Sequence, residues 1–208
     1  MLIRPTPKYK SGQAFIITET LLLVMSARFT SIGEGRTISL LFILKDGPLI
    51  LKEMKSVIPN AQTLRQRLDQ MRRERLVRIS VVKDVHKQVR AELTDLGLEV
   101  AEMFSDVDRS LLPDKRFEDK SIDMRHFDNV IRMLHDKNYV VQKELRDAIG
   151  TFDTVIRVLK AMESDGIVDR VDNREGGREI RYSLTPIGRK IADVYQSIYK
   201  KISSNGIL

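Results

Sequence analysis

Arg181-Tyr182-Ser183-Leu184-Thr185-Pro186-Ile187-Gly188 repeats, late in the chain, an earlier stretch, Arg90-Ala91-Glu92-Leu93-Thr94-Asp95-Leu96-Gly97. The offset, 185 − 94 = 91 residues, also pairs Lys52-Glu53 with Lys143-Glu144, Ile58 with Ile149 and Thr63 with Thr154. Without a gap it goes on to pair Leu68 with Leu159, Met71 with Met162, Leu76-Val77 with Ile167-Val168 and Ala101 with Ala192. A match running over roughly seventy residues is the length of a small domain, so two similar domains in tandem are expected. Any function must suit a duplicated module.

Composition narrows the class. The 208 residues are 42% hydrophobic and 31% charged, the balance of an ordinary globular chain. With no Trp and few aromatics, the cores must rest on Leu, Ile, Val and Met. The absence of Cys removes disulfides, thiolate catalysis and thiolate metal sites, and fits a reducing compartment. The apolar runs Phe15–Ile17, Leu21–Met25 and Ile38–Leu44 fall well short of the roughly twenty residues that span a bilayer, and Thr18, Glu19 and Thr20 interrupt any signal-peptide layout. A cytoplasmic protein is expected. The formal net charge of +7 points to an acidic partner, nucleic acid first and a membrane surface second. That charge is unevenly shared: Arg36–Phe104 holds 13 Lys/Arg against 9 Asp/Glu, whereas the matched span Phe127–Tyr195 holds 12 of each. Copies that have diverged in charge are expected to do different jobs.

Both copies read in the order helix, helix, helix, strand, strand, helix. In the first, Thr37–Lys45 stops at the turn signal Asp46-Gly47, Pro48 is expected to open a short helix, and Asn60 caps a third helix whose Leu64, Leu68 and Met71 share one face. Val77–Val82 and Val89–Leu93 predict a hairpin with the polar tip Lys83–Gln88, after which Thr94 caps a last helix, Asp95–Phe104. The second copy offers helices at Phe127–His135, Val141–Ala148 and Thr151–Ser164, then a hairpin from Ile167–Arg170 and Ile180–Leu184. Thr185-Pro186 then starts a long final helix with the apolar stripe Ile187, Ile191, Val194, Tyr195 and Ile198. The fold class expected is mainly α with small β-hairpins (α+β). Its domains are an N-terminal segment at 1–35 of unassigned role, a first domain at 36–104, a linker at 105–125 and a second domain at 126–202 with an extended C-terminal helix.

Three helices followed by a hairpin make a winged helix–turn–helix, in which the first helices brace the third against the duplex while the hairpin tip meets flanking phosphate. The exit Tyr182-Ser183-Leu184-Thr185-Pro186-Ile187-Gly188 resembles the Y-x-L-T-x-x-G segment of MarR- and PadR-type winged-helix transcription regulators. The run from Leu159 through Met162 to Gly166-Ile167-Val168 is similar to their L-x-x-L-x-x-x-G-L-V junction, and the first copy carries Arg75 where that junction has Gly. The resemblance covers about two thirds of the chain and implies DNA binding by each copy's third helix and wing.

On the first copy's third helix, Gln62, Thr63, Arg65, Gln66, Arg67, Gln70 and Arg73 are expected outward, and Arg and Gln are the side chains that pair bidentately with guanine and adenine edges. The competing reading is a solvated face with i,i+4 pairs such as Asp69–Arg73. The second copy's third helix places Thr151, Thr154 and Arg157 outward, but Phe152, Val155, Ile156 and Val158 leave little polar surface; either the core stripe is broad or the helix packs against another element. The wings carry Lys83, His86, Lys87 and Arg90 in the first copy and Arg174, Arg178 and Arg181 in the second, candidates for phosphate contact or solvated loop charge. His86, His126 and His135 do not form a metal cluster by spacing, and neither metal nor cofactor is required; no catalytic motif is present, so an enzyme is not expected. The last helix suits either a homodimer seam or an intramolecular strut between the copies.

The function expected is double-stranded DNA binding through tandem winged helices, in transcription regulation. The rival is a tandem winged-helix protein-interaction scaffold in a chromosome-partitioning or basal transcription complex.

Overall fold

A computed structural model of the chain describes residues 31–83, 87–111, 120–150, 152–173 and 179–204, so the apolar runs Phe15–Ile17 and Leu21–Met25 lie outside the described residues. The first copy enters through a 3-10 turn at Ser31–Gly33. It continues through α1 (Thr37–Lys45), β1 (Leu49–Ile50), α2 (Leu51–Met54), α3 (Ala61–Arg73), β2 (Val77–Lys83), β3 (Lys87–Leu93) and α4 (Asp95–Leu111). The second repeats this order: a 3-10 turn at Ser121–Asp123, α5 (Phe127–Asp136), β4 (Val140–Val141), α6 (Gln142–Ile149), α7 (Phe152–Ser164), β5 (Val168–Asn173), β6 (Glu179–Leu184) and α8 (Pro186–Ser204). Each copy holds a three-stranded antiparallel sheet, ordered β1-β3-β2 and β4-β6-β5, so both are winged helices.

The motif that announces the repeat has a packing cause. Thr94 and Thr185 cap the helices after the wings, accepting from the backbone N–H of Gly97 at 3.1 Å and of Gly188 at 3.0 Å. Each threonine's own N–H donates back to the threshold of the first wing strand, to the carbonyls of Leu76 and Ile167, both at 3.1 Å. That bond draws the helix so close that a Cβ on Gly97 would stand 1.9 Å from the Leu76 carbonyl oxygen, and one on Gly188 2.1 Å from that of Ile167. Only glycine fits there.

Three expectations about the elements change. Pro48 does not open a helix: Leu49-Ile50 pair with Ala91 and Arg90 as a short third strand, and α2 begins only at Leu51. The hairpin edge satisfies these backbone groups better than a first helical turn would, and the Ile50 N–H is capped by the Glu53 carboxylate at 2.8 Å. The second copy does the same with Val140-Val141 and Glu144. The wing of the first copy is longer than its apolar run, since strand pairing extends to Lys83↔Lys87. The linker, finally, is shorter than expected. The stripe Val100, Ala101, Phe104 and Val107 stays buried, so α4 runs on to Leu111. Residues 120–123 are buried as well, with Lys120 paired to Asp108 and the Ser121 N–H donated to Asp165 at 2.7 Å.

The copies face each other about an approximate two-fold axis. Arg36 N–H donates to the Asp123 carbonyl at 3.1 Å, and His126 N–H donates to the Gly33 carbonyl at 3.2 Å. Since 123 − 33 = 90 and 126 − 36 = 90, these are the same contact made in both directions, as in an isologous interface. The register here is 90 rather than 91 because α5, with 10 residues, is one longer than α1, with 9. On the axis itself Phe104 meets Tyr195, its own counterpart at 195 − 104 = 91, edge to face with ring centroids 5.3 Å apart. Phe127 adds a second ring at 5.5 Å from Tyr195, and the Tyr195 hydroxyl donates to the Ile122 carbonyl at 3.2 Å. Aromatic pairs of this kind contribute about 0.5–1.5 kcal/mol each beyond their burial. Ile191, Tyr195, Ile198 and Ile202 of α8 are thereby buried within one chain. Of the apolar stripe on this helix, Ile191, Tyr195 and Ile198 form an intramolecular strut, because α4 supplies a partner helix within the chain, whereas Val194 is half-buried and Ile187 is 38% exposed.

Candidate nucleic-acid interface

Helix α3 is built to present one face outward. The Asn60 side chain accepts from the Thr63 N–H at 2.9 Å and fixes the start, while Leu64, Leu68 and Met71 are fully buried. Gln62, Thr63, Arg65 and Gln66 are then exposed together on its first two turns. Helix N-terminal residues are those that reach base edges in a helix–turn–helix.

Arg67 does not belong with them. It is 8% exposed, and its guanidinium donates to the Ser31 carbonyl at 3.3 Å, the Gly35 carbonyl at 3.3 Å and the Thr37 hydroxyl at 2.5 Å, with Glu34 at 3.4 Å. The reason is its phase: positions 64, 67, 68 and 71 follow i, i+3, i+4, i+7, so Arg67 lies on the inward stripe. That spacing is the sequence signal for its burial; its partners Ser31, Glu34, Gly35 and Thr37 leave none. Gln70 is half-buried rather than outward and bonds the carboxyl of Glu74. Burial pushes that carboxyl up to about 7, against the pull of Ser31 hydrogen bonds and the nearby Arg67 charge. Arg73 is exposed, but its Nε–H donates to the Asp69 carbonyl at 3.4 Å, and the Asp69 carboxylate pairs with Arg72 at 3.5 Å rather than with Arg73.

In the wing, Arg90 is exposed on β3, opposite Ser80. Lys83 and Lys87 are the last residues paired in register on the ladder, and His86 lies outside the described residues.

The second copy carries less uncompensated positive charge. On α7, Arg157 is exposed and Thr154 half-buried, whereas Thr151, Arg174 and Arg178 lie outside the described residues. Val155, Val158, Leu159 and Met162 are all buried, so most of the apolar excess on α7 is a broad core stripe. The exceptions are Ile156, which is half-buried, and Phe152, 52% exposed at the helix start. Among the described residues of this wing, Arg181 pairs with Glu179 at 2.6 Å and lies over the Tyr139 ring at 4.5 Å, and Arg170 pairs with Asp172 at 3.4 Å.

Among the described residues there is no group of three or more His, Asp or Glu able to hold a metal ion, and no helix long and apolar enough to cross a membrane. His135 bonds Asp193 at 3.2 Å on the surface, and burial with the neighbouring Arg125 lowers the pKa of His126 at the start of α5.

No significant match was found among curated protein sequences. Among solved structures, the chain is similar to FabT of Streptococcus pneumoniae in complex with DNA, at 20% identity over 53% of this chain and 78% of that one, with a TM-score of 0.38. A cysteine-to-serine mutant of MarR from E. coli complexed with operator DNA aligns at 19% identity over 53% of this chain and 81% of that one, TM-score 0.34. NadR in complex with 4-hydroxyphenylacetate aligns at 16% identity over 53% and 67%, TM-score 0.34. A family model, the HxlR-like helix-turn-helix, matches residues 31–110 and again 128–206. With most of its length matched in two successive units, the chain belongs to the HxlR-like helix-turn-helix family.

Proposed function

We propose that this protein is a transcription regulator that binds double-stranded DNA through both winged helices, with the first copy making most of the contact. One observation carries this reading: Gln62, Thr63, Arg65 and Gln66 stand exposed together at the start of α3, base-reading side chains on the helix that this fold lays in the major groove. Arg90 and the Lys83/Lys87 end of the wing would meet flanking phosphate. The second copy would add less electrostatic affinity, since Arg157 and Lys160 on α7 are offset by Asp153 and Glu163, and Arg170 and Arg181 of its wing by Asp172 and Glu179. Fluorescence anisotropy of a labelled random-sequence duplex across a salt series tests this. Binding at micromolar concentration or tighter, weakening steeply with salt, is expected. Absence of binding at low salt would refute it and direct attention to the protein-scaffold alternative.

A further inference from the structure

The two copies present the same backbone but not the same chemistry. The reciprocal contacts of Arg36 with Asp123 and of His126 with Gly33, with Phe104 on Tyr195 at the axis, relate α3 to α7 by an approximate two-fold rotation. Two reading helices so related point in opposite senses, as inverted half-sites require. In a homodimer the two faces would be identical and the preferred site a palindrome. Here one chain carries both, and each face is free to differ.

The faces do differ. With the offset of 91, Gln62 corresponds to Asp153, Arg65 to Ile156 and Gln66 to Arg157, and only Thr63, matching Thr154, is kept among these. Gln suits adenine, whereas a carboxylate accepts from the cytosine amino group; Arg suits guanine, whereas an apolar side chain contacts the thymine methyl. Phe152 strengthens the contrast. It stands 52% exposed where the first copy has Ala61, although its neighbours Val155, Val158, Leu159 and Met162 already fill the core. A bulky apolar group held in water at the start of a reading helix is placed to meet thymine methyls in the major groove.

We propose that the protein reads a non-palindromic operator: two inverted half-sites, one read beneath α3 by Gln62, Arg65 and Gln66, the other containing thymine, cytosine and guanine and read through Phe152, Asp153, Ile156 and Arg157. This rests on the DNA-binding function proposed above and assigns what that site recognises.

The test is selection of the full-length chain on a randomised duplex library, followed by anisotropy on three duplexes: the selected hybrid and the palindrome made from each half. The hybrid is expected to bind at least tenfold more tightly than either palindrome, because each mismatched base pair costs about 1–3 kcal/mol, or roughly 5- to 150-fold. Enrichment of a palindrome, equal affinity for all three, or binding without sequence preference would each overturn the inference while leaving DNA binding intact. No binding to any duplex at low salt would overturn the DNA-binding function itself, and the inference with it. A chain carrying Phe152→Ala, Asp153→Gln, Ile156→Arg and Arg157→Gln, with its fold checked by circular dichroism, should switch its preference to the palindrome of the first half. Retention of the hybrid preference by that variant would overturn the residue assignment. Should the fourfold change unfold the chain, Asp153→Gln alone is expected to alter one position of one half-site only, and an unaltered selected sequence would overturn the role given to Asp153.

Discussion

Arg65→Ala and Arg67→Ala remove the same charge two residues apart on one helix, and the structure assigns them opposite consequences. Arg67 is 8% exposed and satisfies the Ser31 and Gly35 carbonyls, the Thr37 hydroxyl and the Glu34 carboxylate. Truncating it leaves the Gly35 carbonyl without this donor, while Glu34, 35% exposed, keeps Arg125 at 3.4 Å and the Ser31 carbonyl keeps the Thr37 hydroxyl at 2.6 Å, so the loss is about 1–3 kcal/mol. For a chain of this size each kcal/mol moves the melting temperature by roughly 2–4 °C, so a fall of about 2–12 °C is expected. Arg65 is exposed, and surface truncations usually stay within about 0.5 kcal/mol, so its variant should melt within roughly 2 °C of the parent. Its effect should fall on binding instead, where loss of a good bidentate base contact costs about 1–3 kcal/mol on the selected operator. Thermal unfolding by circular dichroism and operator anisotropy below the melting transition separate the two. An Arg67→Ala chain that melts with the parent yet weakens DNA binding as Arg65→Ala does would refute this division of roles.

The packing and the buried carboxyl set further outcomes. Gly188→Ala should destabilise the second copy by about 1–3 kcal/mol or more, because its Cβ meets a backbone carbonyl at 2.1 Å that no side-chain rotation can move; a urea midpoint equal to the parent's would contradict this. Arg75 has φ 56°, in the left-handed region, where its counterpart is Gly166 at φ 67°. Arg75→Gly should therefore stabilise the chain by about 1 kcal/mol in the same urea assay, and a lowered midpoint would contradict the strain assigned to that position. Glu74 rises from 4.5 to about 7 on folding. Below both values the carboxyl is protonated in either state; between them the unfolded chain has released a proton that the fold retains. Stability should thus decrease from pH 4.5 to 7 by on the order of 3 kcal/mol from this group and level off above. Denaturation midpoints at pH 5 and 8 should differ less in Glu74→Gln than in the parent, and an unchanged difference would remove Glu74 as the cause.

The repeat, the order of the longer elements and the α+β winged-helix class were legible in the residues because they depend on local periodicity and on short contacts. Thr94 and Thr185 cap the helices that begin beside them, Asn60 caps α3, and Gly97 and Gly188 mark a close helix–strand approach set within some twenty residues. The exposed Gln62, Thr63, Arg65 and Gln66 were legible for the same reason, since helical phase alone turns them away from Leu64 and Leu68. Tertiary structure decided what phase could not reach. Arg67 became a buried hub because Glu34 and the Ser31 carbonyl, more than thirty residues away, are folded against it. Leu49-Ile50 became a strand because β3, some forty residues later, offers an edge. The final helix became an internal strut because Phe104 of α4 lies opposite Tyr195. An amphipathic stripe states only that a face will be covered. Whether a second molecule or the same chain covers it is a matter of which surfaces meet when both copies fold, and that is written in three dimensions rather than in any window of the sequence.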